Sequence, residues 1–329
     1  MKTIGIFPAS GGLGGSTYTH LLKLVPNDTV TLISRHPEKT QQSYIDAGVK
    51  TREASYESSP DELQVAFTGI DVLFLISYPS HERDYRIKVQ LPAIDAARRA
   101  GVSHIFYSSL ALAGNVSSNH SLAEVMQAHL TTEAHLRQLS LDDNTSFTYT
   151  IIREGLYAES TPIYTAFFSP MAQPSVSEIL IPHDGTGLGI AWVERDELGE
   201  ASARLIADYV SGGTKYVNET VLLTGTQVWT LEDTVRILAE IAGRDVRIRQ
   251  VSVDEYVQLK QVQEVFGSEE KARTWATAWE AIRAGEAAVV TDTMEEILGR
   301  PPREFVVSVR KYWGRPDSDN NESSKGMGR

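Results

Sequence analysis

The residues with the clearest chemical meaning lie at the start of the chain, in a turn dense in Gly and Ser. Thr3–Phe7 is a short apolar run that favours a β-strand, and Ser16–Leu24 has helical periodicity. A strand, a glycine-rich turn and a helix in this order bring backbone N–H groups and a helix N-terminus to one point, which suits the pyrophosphate of a dinucleotide. The alternative is an ordinary turn in an α/β protein without a nucleotide. The cofactor contacts predicted in this turn are Pro8, Ser10, Gly11, Gly12, Leu13 and Gly14.

The turn departs from the dinucleotide fingerprint at its first glycine position, where the chain has Pro8. Proline fixes φ and removes a backbone donor, so the first bend must be made differently.

The end of the second predicted strand carries a basic pair, Arg35 and Lys39. Enzymes that prefer NAD usually have an acidic residue here for the ribose 2′-hydroxyl, whereas an arginine can bind a 2′-phosphate with two hydrogen bonds. A solvated arginine after a strand is the alternative. With the glycine-rich turn before it, Arg35 indicates NADP(H) as the cofactor.

Polar and aromatic residues follow three later strands, at positions where ligands bind in parallel sheets. Two hydroxyls follow the fifth strand, and a carboxylate ends the sixth. The cofactor contacts predicted there are Ser77, Tyr78, Pro79 and Ser108. The substrate contacts predicted there are Ser109, Leu110, Glu154 and Tyr157.

The elements that must position these residues alternate between strand and helix through the first half of the chain. Short connections between them predict a Rossmann-type, doubly wound parallel sheet of the α/β class. Later strands are predicted at Thr29–Ser34, Asp71–Ser77, His104–Ser108 and Phe147–Ile152. Helices are predicted at Glu38–Asp46, Pro60–Phe67, Asp84–Ala100 and Leu122–Leu139.

The second half of the chain differs in character. Thr161–Gly189 is rich in Pro and Gly and predicts a loop that covers a cleft, and the pattern from Val253 to Trp313 is mostly helical. We therefore predict an NADP(H)-binding domain over residues 1–155, to which 193–224 return, and a smaller, mainly helical substrate part over 156–192 and 225–315. The polar tail 316–329 is predicted to be disordered.

Composition limits the classes of partner. The 329 residues carry a net charge of −12, which disfavours nucleic acid and anionic membranes as partners. The chain has no cysteine, which excludes disulfides, thiolate metal sites and cysteine nucleophiles. No metal site, signal segment or membrane span is predicted, and we expect a cytoplasmic protein.

The helix predicted at Leu122–Leu139 lacks the Tyr-x-x-x-Lys pair with which short-chain dehydrogenases protonate a substrate oxygen. It contains neither tyrosine nor lysine, which argues against ordinary alcohol dehydrogenation. It contains His129, and a single helix histidine is either a packing residue or a ligand-facing one.

Taken together, these pieces resemble the NmrA-like family of atypical short-chain dehydrogenases/reductases, over the chain to about Trp313. The order and spacing of several short motifs carry the resemblance: residues 9–14, 34–39, 96–105, 107–109, 152–159 and 298–302. The resemblance implies NADP(H) binding, and it is strongest to the NADPH-dependent quinone reductase branch. It aligns His129 with a position occupied by lysine in one branch and by histidine in the quinone reductases, which makes His129 the catalytic candidate.

The chain departs from the family's pattern at two further places. Ala54–Tyr56 stands where the family often has Gly-Asp, which puts a contact near the adenine in doubt. Glu154 stands where Asn or Pro is usual, and it is either a substrate contact or a partner for Arg153.

Three functions fit these observations. The first is an NADPH-dependent reductase of a quinone or related conjugated carbonyl, with a flat, apolar small-molecule substrate. The second is an NADP(H)-binding redox sensor that acts through a protein partner. The third is a biosynthetic tailoring enzyme that has adapted the same fold.

Overall fold

The computed structural model describes residues 2–142, 146–173 and 175–314. Strands in this part of the chain are β1 (Ile4–Phe7), β2 (Val30–Ser34), β3 (Lys50–Glu53), β4 (Val72–Ile76), β5 (His104–Leu110), β6 (Thr148–Glu154), β7 (Glu178–Ile181), β8 (Glu219–Leu223) and β9 (Arg247–Gln250). The tail predicted to be disordered, 316–329, lies outside the described residues.

Helices alternate with the strands in the first half and dominate the second half. The longer ones are α1 (Gly12–Leu21), α3 (Pro60–Phe67), α4 (Arg83–Arg99), α5 (Glu124–Ser140), α7 (Arg195–Val210), α8 (Leu231–Ala242), α11 (Glu269–Arg283) and α13 (Phe305–Trp313). The shorter ones are α2 (Gln42–Asp46), α6 (Thr161–Tyr164), α9 (Val253–Val257), α10 (Lys260–Phe266) and α12 (Thr293–Leu298). None of the helices described is long and apolar enough to cross a membrane.

Seven strands form one parallel sheet in the order β3-β2-β1-β4-β5-β6-β8. The chain moves outward from β1 in one direction to β3 and then returns to β4 on the other side. Ligands of such sheets bind at the carboxyl ends of the strands, where the strand order reverses. The predicted α/β, doubly wound parallel sheet is confirmed.

Two apolar layers cover the sheet and a third core fills the C-terminal part. One face packs against α1, α7 and α12, and the other packs against α3, α4 and α5. The third core joins α8–α11, α13 and a small two-stranded parallel sheet of β7 and β9. The helical pattern predicted from Val253 to Trp313 is confirmed.

Three sequence predictions of local structure are wrong in detail. The first helix begins at Gly12 rather than Ser16, and within its first turns Gly14 packs closely against the backbone of Pro8 and Ala9. The helix predicted at Glu38–Asp46 is a single 3-10 turn, Pro37–Lys39, followed by α2. The predicted loop Thr161–Gly189 contains β7, whose pairing partner lies about seventy residues further along the chain.

Candidate functional site

The glycine-rich turn joins β1 to α1 at the carboxyl edge of the sheet. Gly11 has a φ of 106°, in the region that favours glycine. A Cβ on Gly14 would lie 2.7 Å from the Pro8 carbonyl oxygen, so a larger residue would push the helix away from the strand. Helix α1 begins without a side-chain cap and without an acidic residue in its first turn. Its first backbone N–H groups are therefore available to an anionic ligand.

The other residues of this turn differ from one another in solvent exposure. Ser10 and Gly12 are exposed at its tip, whereas the Leu13 side chain is buried in the core. Leu13 can therefore contact a ligand only through its backbone.

Arg35 follows β2 at the same edge, and its side chain is 61% exposed. Its Nη2 donates to Oε2 of Glu57 at 2.8 Å, and Lys39 is exposed nearby on the 3-10 turn. Partial burial of Glu57 would raise its pKa, but hydrogen bonds from Tyr78, Ser55 and Arg35 lower it below its usual value. The residue predicted to bind a 2′-phosphate thus has a carboxylate partner in this structure.

Tyr78 follows β4, and it is fixed at both its backbone and its hydroxyl. Its backbone N–H donates to Gln90 Oε1 at 2.7 Å, and its hydroxyl donates to Glu57 Oε1 at 2.9 Å. Ser77 is half-buried beside it, and Pro79 is exposed. These three residues follow β4, beside the point where the strand order reverses and ligands of such sheets bind.

Glu154 is the buried acid at the carboxyl edge of the sheet, with 1% of its surface exposed. Its Oε2 accepts a hydrogen bond from the Tyr157 hydroxyl at 2.7 Å, and Oε1 has no hydrogen-bond partner among the described residues. Burial raises the pKa of Glu154 to about 8, against the opposing effect of the Tyr157 and Ser108 hydroxyls. The carboxyl group is therefore largely protonated at neutral pH.

Arg153 points to the opposite face of the sheet from Glu154, because neighbouring side chains alternate along a strand. It forms a two-point ion pair with buried Glu133, at 2.9 Å from Nε and 2.7 Å from Nη2. Ser109 donates to the same carboxylate at 2.7 Å, and Leu110 packs against the C-terminal core. Arg153 is thus the partner of Glu133 and not of Glu154.

His129 is buried on α5, and both of its ring nitrogens have partners. Arg86 Nη2 lies 2.7 Å from Nε2, and Tyr107 Oη lies 3.1 Å from Nδ1. Since a guanidinium can only donate, Nε2 accepts and Nδ1 carries the proton. Burial and the charges of Arg86 and Arg153 lower the pKa of His129 well below its usual value. The imidazole is therefore neutral.

Arg86 supplies a buried positive charge in the first turn of α4. It is 2% exposed, donates to the Val125 carbonyl at 3.0 Å as well as to His129, and leaves Nε without a partner among the described residues. Burial lowers its pKa, but an arginine stays charged in proteins. Arg86 forms no ion pair with a carboxylate among the described residues, and burying a cation in this way costs several kcal/mol.

The predicted site residues meet at one edge of the sheet but on two sides of it. Ser108, Glu154 and Tyr157 lie on the side of α1 and α7, whereas Ser109 and His129 lie on the side of α4 and α5.

Sequence reasoning missed four charged residues here. Two of them could have been found from the sequence. Arg86 interrupts the apolar face of α4. Arg195 is a cation at a helix N-terminus, where the helix dipole disfavours it. The other two, Glu57 and Glu133, had no sequence signal. Their partners lie about twenty residues away in the chain.

The chain is similar to known proteins over most of its length. The model of the NmrA-like family matches residues 1–297. An NmrA-like family domain-containing oxidoreductase, flvB of Aspergillus flavus, is 33% identical over 304 residues, which cover 91% of this chain and 92% of that protein.

The solved structures with similar folds include two reductases. Citrobacter sp. triphenylmethane reductase complexed with NADP(H) is 28% identical, with a TM-score of 0.75 over 94% of this chain and 99% of that one. The NADPH-dependent quinone oxidoreductase QOR2 from Escherichia coli, complexed with NADPH, is 24% identical, with a TM-score of 0.74 over 94% of this chain and 99% of that one. This second likeness concerns the fold alone.

Proposed function

The chain belongs to the NmrA-like family, and we propose that it is an NADPH-dependent reductase of a quinone or related conjugated carbonyl. One observation carries the proposal. The edge of the sheet that holds the glycine turn and Arg35 has no Tyr-Lys pair, and the aligned position is a neutral, hydrogen-bonded His129. The name of the Aspergillus flavus relative and the NADP(H)-bound Citrobacter reductase support a redox role and this cofactor.

The chain's own residues fit NADP(H). The uncapped N-terminus of α1 and the backbone of residues 8–14 would hold the diphosphate, where Gly14 leaves no room for a side chain. Arg35 and Lys39 would bind the 2′-phosphate, and Tyr78 and Ser108 would line the crevice beyond it. The bound cofactor supplies the hydride.

The acceptor must be strongly electrophilic because α5 offers no acid. His129 is neutral, and its one N–H lies toward Tyr107. A quinone accepts hydride without prior protonation, so positioning beside the cofactor provides much of the rate. The substrate that the Citrobacter enzyme's name gives, a triphenylmethane, is likewise a conjugated aromatic compound.

The proton that completes the reduction comes, in this proposal, from the Glu154–Tyr157 pair. Burial favours the protonated form of the Glu154 carboxyl at neutral pH, and this carboxyl accepts a hydrogen bond from the Tyr157 hydroxyl at the carboxyl edge of the sheet. A general acid works best when its pKa is close to the working pH, as this one is. Ser109 and Leu110 would contact the substrate from the neighbouring strand.

In this proposal His129 accepts a hydrogen bond from Arg86 and holds its guanidinium in place, on the side of the sheet covered by α4 and α5 and close to the edge where the substrate would bind. It would donate to a substrate carbonyl only after its contact with Tyr107 broke. His129→Ala should lower the rate and leave NADPH binding intact. An unchanged rate would remove His129 from the mechanism.

The C-terminal part is proposed to hold a flat, apolar substrate. Phe167 has a φ of 62°, and it packs against Phe266 at 5.7 Å between ring centroids. A non-glycine residue at positive φ costs of order 1–3 kcal/mol and is often found at ligand-binding sites. Trp192 is buried in the same core, stacked on Phe305.

The test is a turnover screen of the purified full chain with NADPH or NADH and a panel of quinones and enones. We expect acceptor-dependent NADPH oxidation that is faster than NADH oxidation. NADPH binding without turnover on any acceptor would contradict the reductase and favour the sensor that acts through a protein partner.

A further inference from the structure

Arg195 is the first residue of α7, and its side chain lies against the glycine turn. Helices α1 and α7 begin side by side, and Gly199 packs so closely on Ser16 that a Cβ there would overlap its hydroxyl. One turn earlier, a Cβ on Gly12 would overlap the guanidinium group of Arg195. The close approach of the two helices therefore brings this cation to the N-terminus of α1.

The N–H donors of the Arg195 side chain are available to a ligand. Its guanidinium has no hydrogen bond or ion pair with any described residue, although its backbone N–H donates to Glu159 Oε2 at 3.2 Å. Glu159 is half-buried, and its pKa is raised by burial against the opposing charge of Arg195. A cation at the first position of a helix also opposes the helix dipole. The side-chain N–H donors of Arg195 are thus unused by the described residues, although its charge attracts the Glu159 carboxylate.

The groups next to the guanidinium favour the binding of an anion. The first turn of α1 has uncapped N–H groups and no acidic side chain, and Arg195 adds a planar group of N–H donors beside them. Two adjacent anionic groups could bind both at once, as the diphosphate of a dinucleotide does.

We propose that Arg195 is a cofactor-binding residue that holds the diphosphate of NADP(H) against the glycine turn. This inference rests on the proposed function, and it adds a ligand from outside the turn, in the second half of the chain. Arg35 and Arg195 then have different tasks. Arg35 follows β2 and recognises the 2′-phosphate, whereas Arg195 recognises a group that NADPH and NADH share.

The division of tasks is tested by calorimetric titration of the full chain with NADPH and with NADH. Arg195→Ala should weaken binding of both cofactors by the same factor, about tenfold or more for a lost charge-assisted contact. Arg35→Ala should weaken NADPH binding alone. The matched control is Arg204→Ala, on the same helix, whose side chain pairs with Glu200. It should change neither affinity.

A second variant displaces the guanidinium without removing it. The methyl group of Gly12→Ala would occupy the position of the guanidinium and should also weaken both cofactors. In the double variant with Arg195→Ala the two losses should not add, because both act on one contact. Circular dichroism and thermal unfolding check that each variant is folded.

The outcomes separate the two proposals. Wild-type affinity of Arg195→Ala for both cofactors would overturn the role of Arg195 and leave the reductase standing. A loss confined to NADPH would also overturn it, because it would assign Arg195 to the 2′-phosphate. A wild-type chain that binds neither cofactor would overturn the proposed function itself.

Discussion

The carboxylate of Glu57 competes with a 2′-phosphate for Arg35, and its removal should strengthen NADPH binding. In the structure Glu57 accepts from Arg35 at 2.8 Å and from Tyr78 at 2.9 Å. A cofactor with a 2′-phosphate must draw Arg35 away from this partner and then lie near a negative charge. Glu57→Gln keeps the size of the side chain and removes the charge.

The expected gain follows from the exposure of the pair. The Arg35 and Glu57 side chains are 61% and 37% exposed, and exposed pairs contribute about 0.2–1 kcal/mol. Repulsion between unit charges about 6 Å apart in water adds about 0.7 kcal/mol. The sum, about 0.9–1.7 kcal/mol, corresponds to NADPH binding that is about five- to twentyfold tighter. NADH, which lacks the 2′-phosphate, should change by less than about twofold.

Calorimetric titration of the wild type and Glu57→Gln with each cofactor measures both effects. Asp61→Asn is the control, because it removes one exposed carboxylate from the start of α3 without touching Arg35. A variant that loses affinity for NADH, with NADPH unchanged, would refute the reasoning. That result would make Glu57 the acceptor for a ribose 2′-hydroxyl, as in proteins that prefer NAD.

Three further changes test the geometry of the site. Folded Glu154 has a raised pKa, so its stabilising contribution is complete below about pH 4.5 and is lost as the pH rises to about 8. At about pH 9 the free energy of unfolding of Glu154→Gln, measured with denaturant, should therefore exceed that of the wild type by about 3–5 kcal/mol. Equal free energies of unfolding at that pH would contradict the raised pKa of the buried acid. Gly14→Ala should lower the free energy of unfolding by about 1–3 kcal/mol, because its Cβ would meet two backbone carbonyls. Gly15→Ala has open space around the new methyl group and should raise the free energy of unfolding by up to about 1 kcal/mol. Glu133→Ala should cost about 3–5 kcal/mol in the same assay, because it leaves Arg153 charged and buried, and a loss below about 1 kcal/mol would show that the pair is not essential.

Sequence patterns predicted the elements that local chemistry determines. Helix α3 begins and ends where its pattern indicated, and Ser59 caps it through a reciprocal pair with Glu62. Thr230 caps α8 through a hydrogen bond that its side chain accepts from the Asp233 N–H, and Gly243 ends that helix in the left-handed conformation. Such signals are contained within a few residues, so a sequence can reveal them.

Sequence patterns do not predict which residues far apart in the chain contact each other. The hydrogen bond from Arg86 to His129 joins residues 43 positions apart, and it determines the tautomer of the imidazole. The ion pair of Arg35 with Glu57 joins residues 22 positions apart. A sequence shows that these side chains carry charge, but the packing of helices on the sheet decides which of them meet.

The most direct test of the account is the rate of acceptor-dependent NADPH oxidation by the purified chain, measured with ordinary NADPH and with NADPH deuterated at the transferred position. The account predicts oxidation that requires a quinone or enone, that is faster than with NADH, and that slows with the deuterated cofactor in a single turnover. A chain that binds NADPH but oxidises it with no acceptor in the panel would contradict the central claim of hydride transfer.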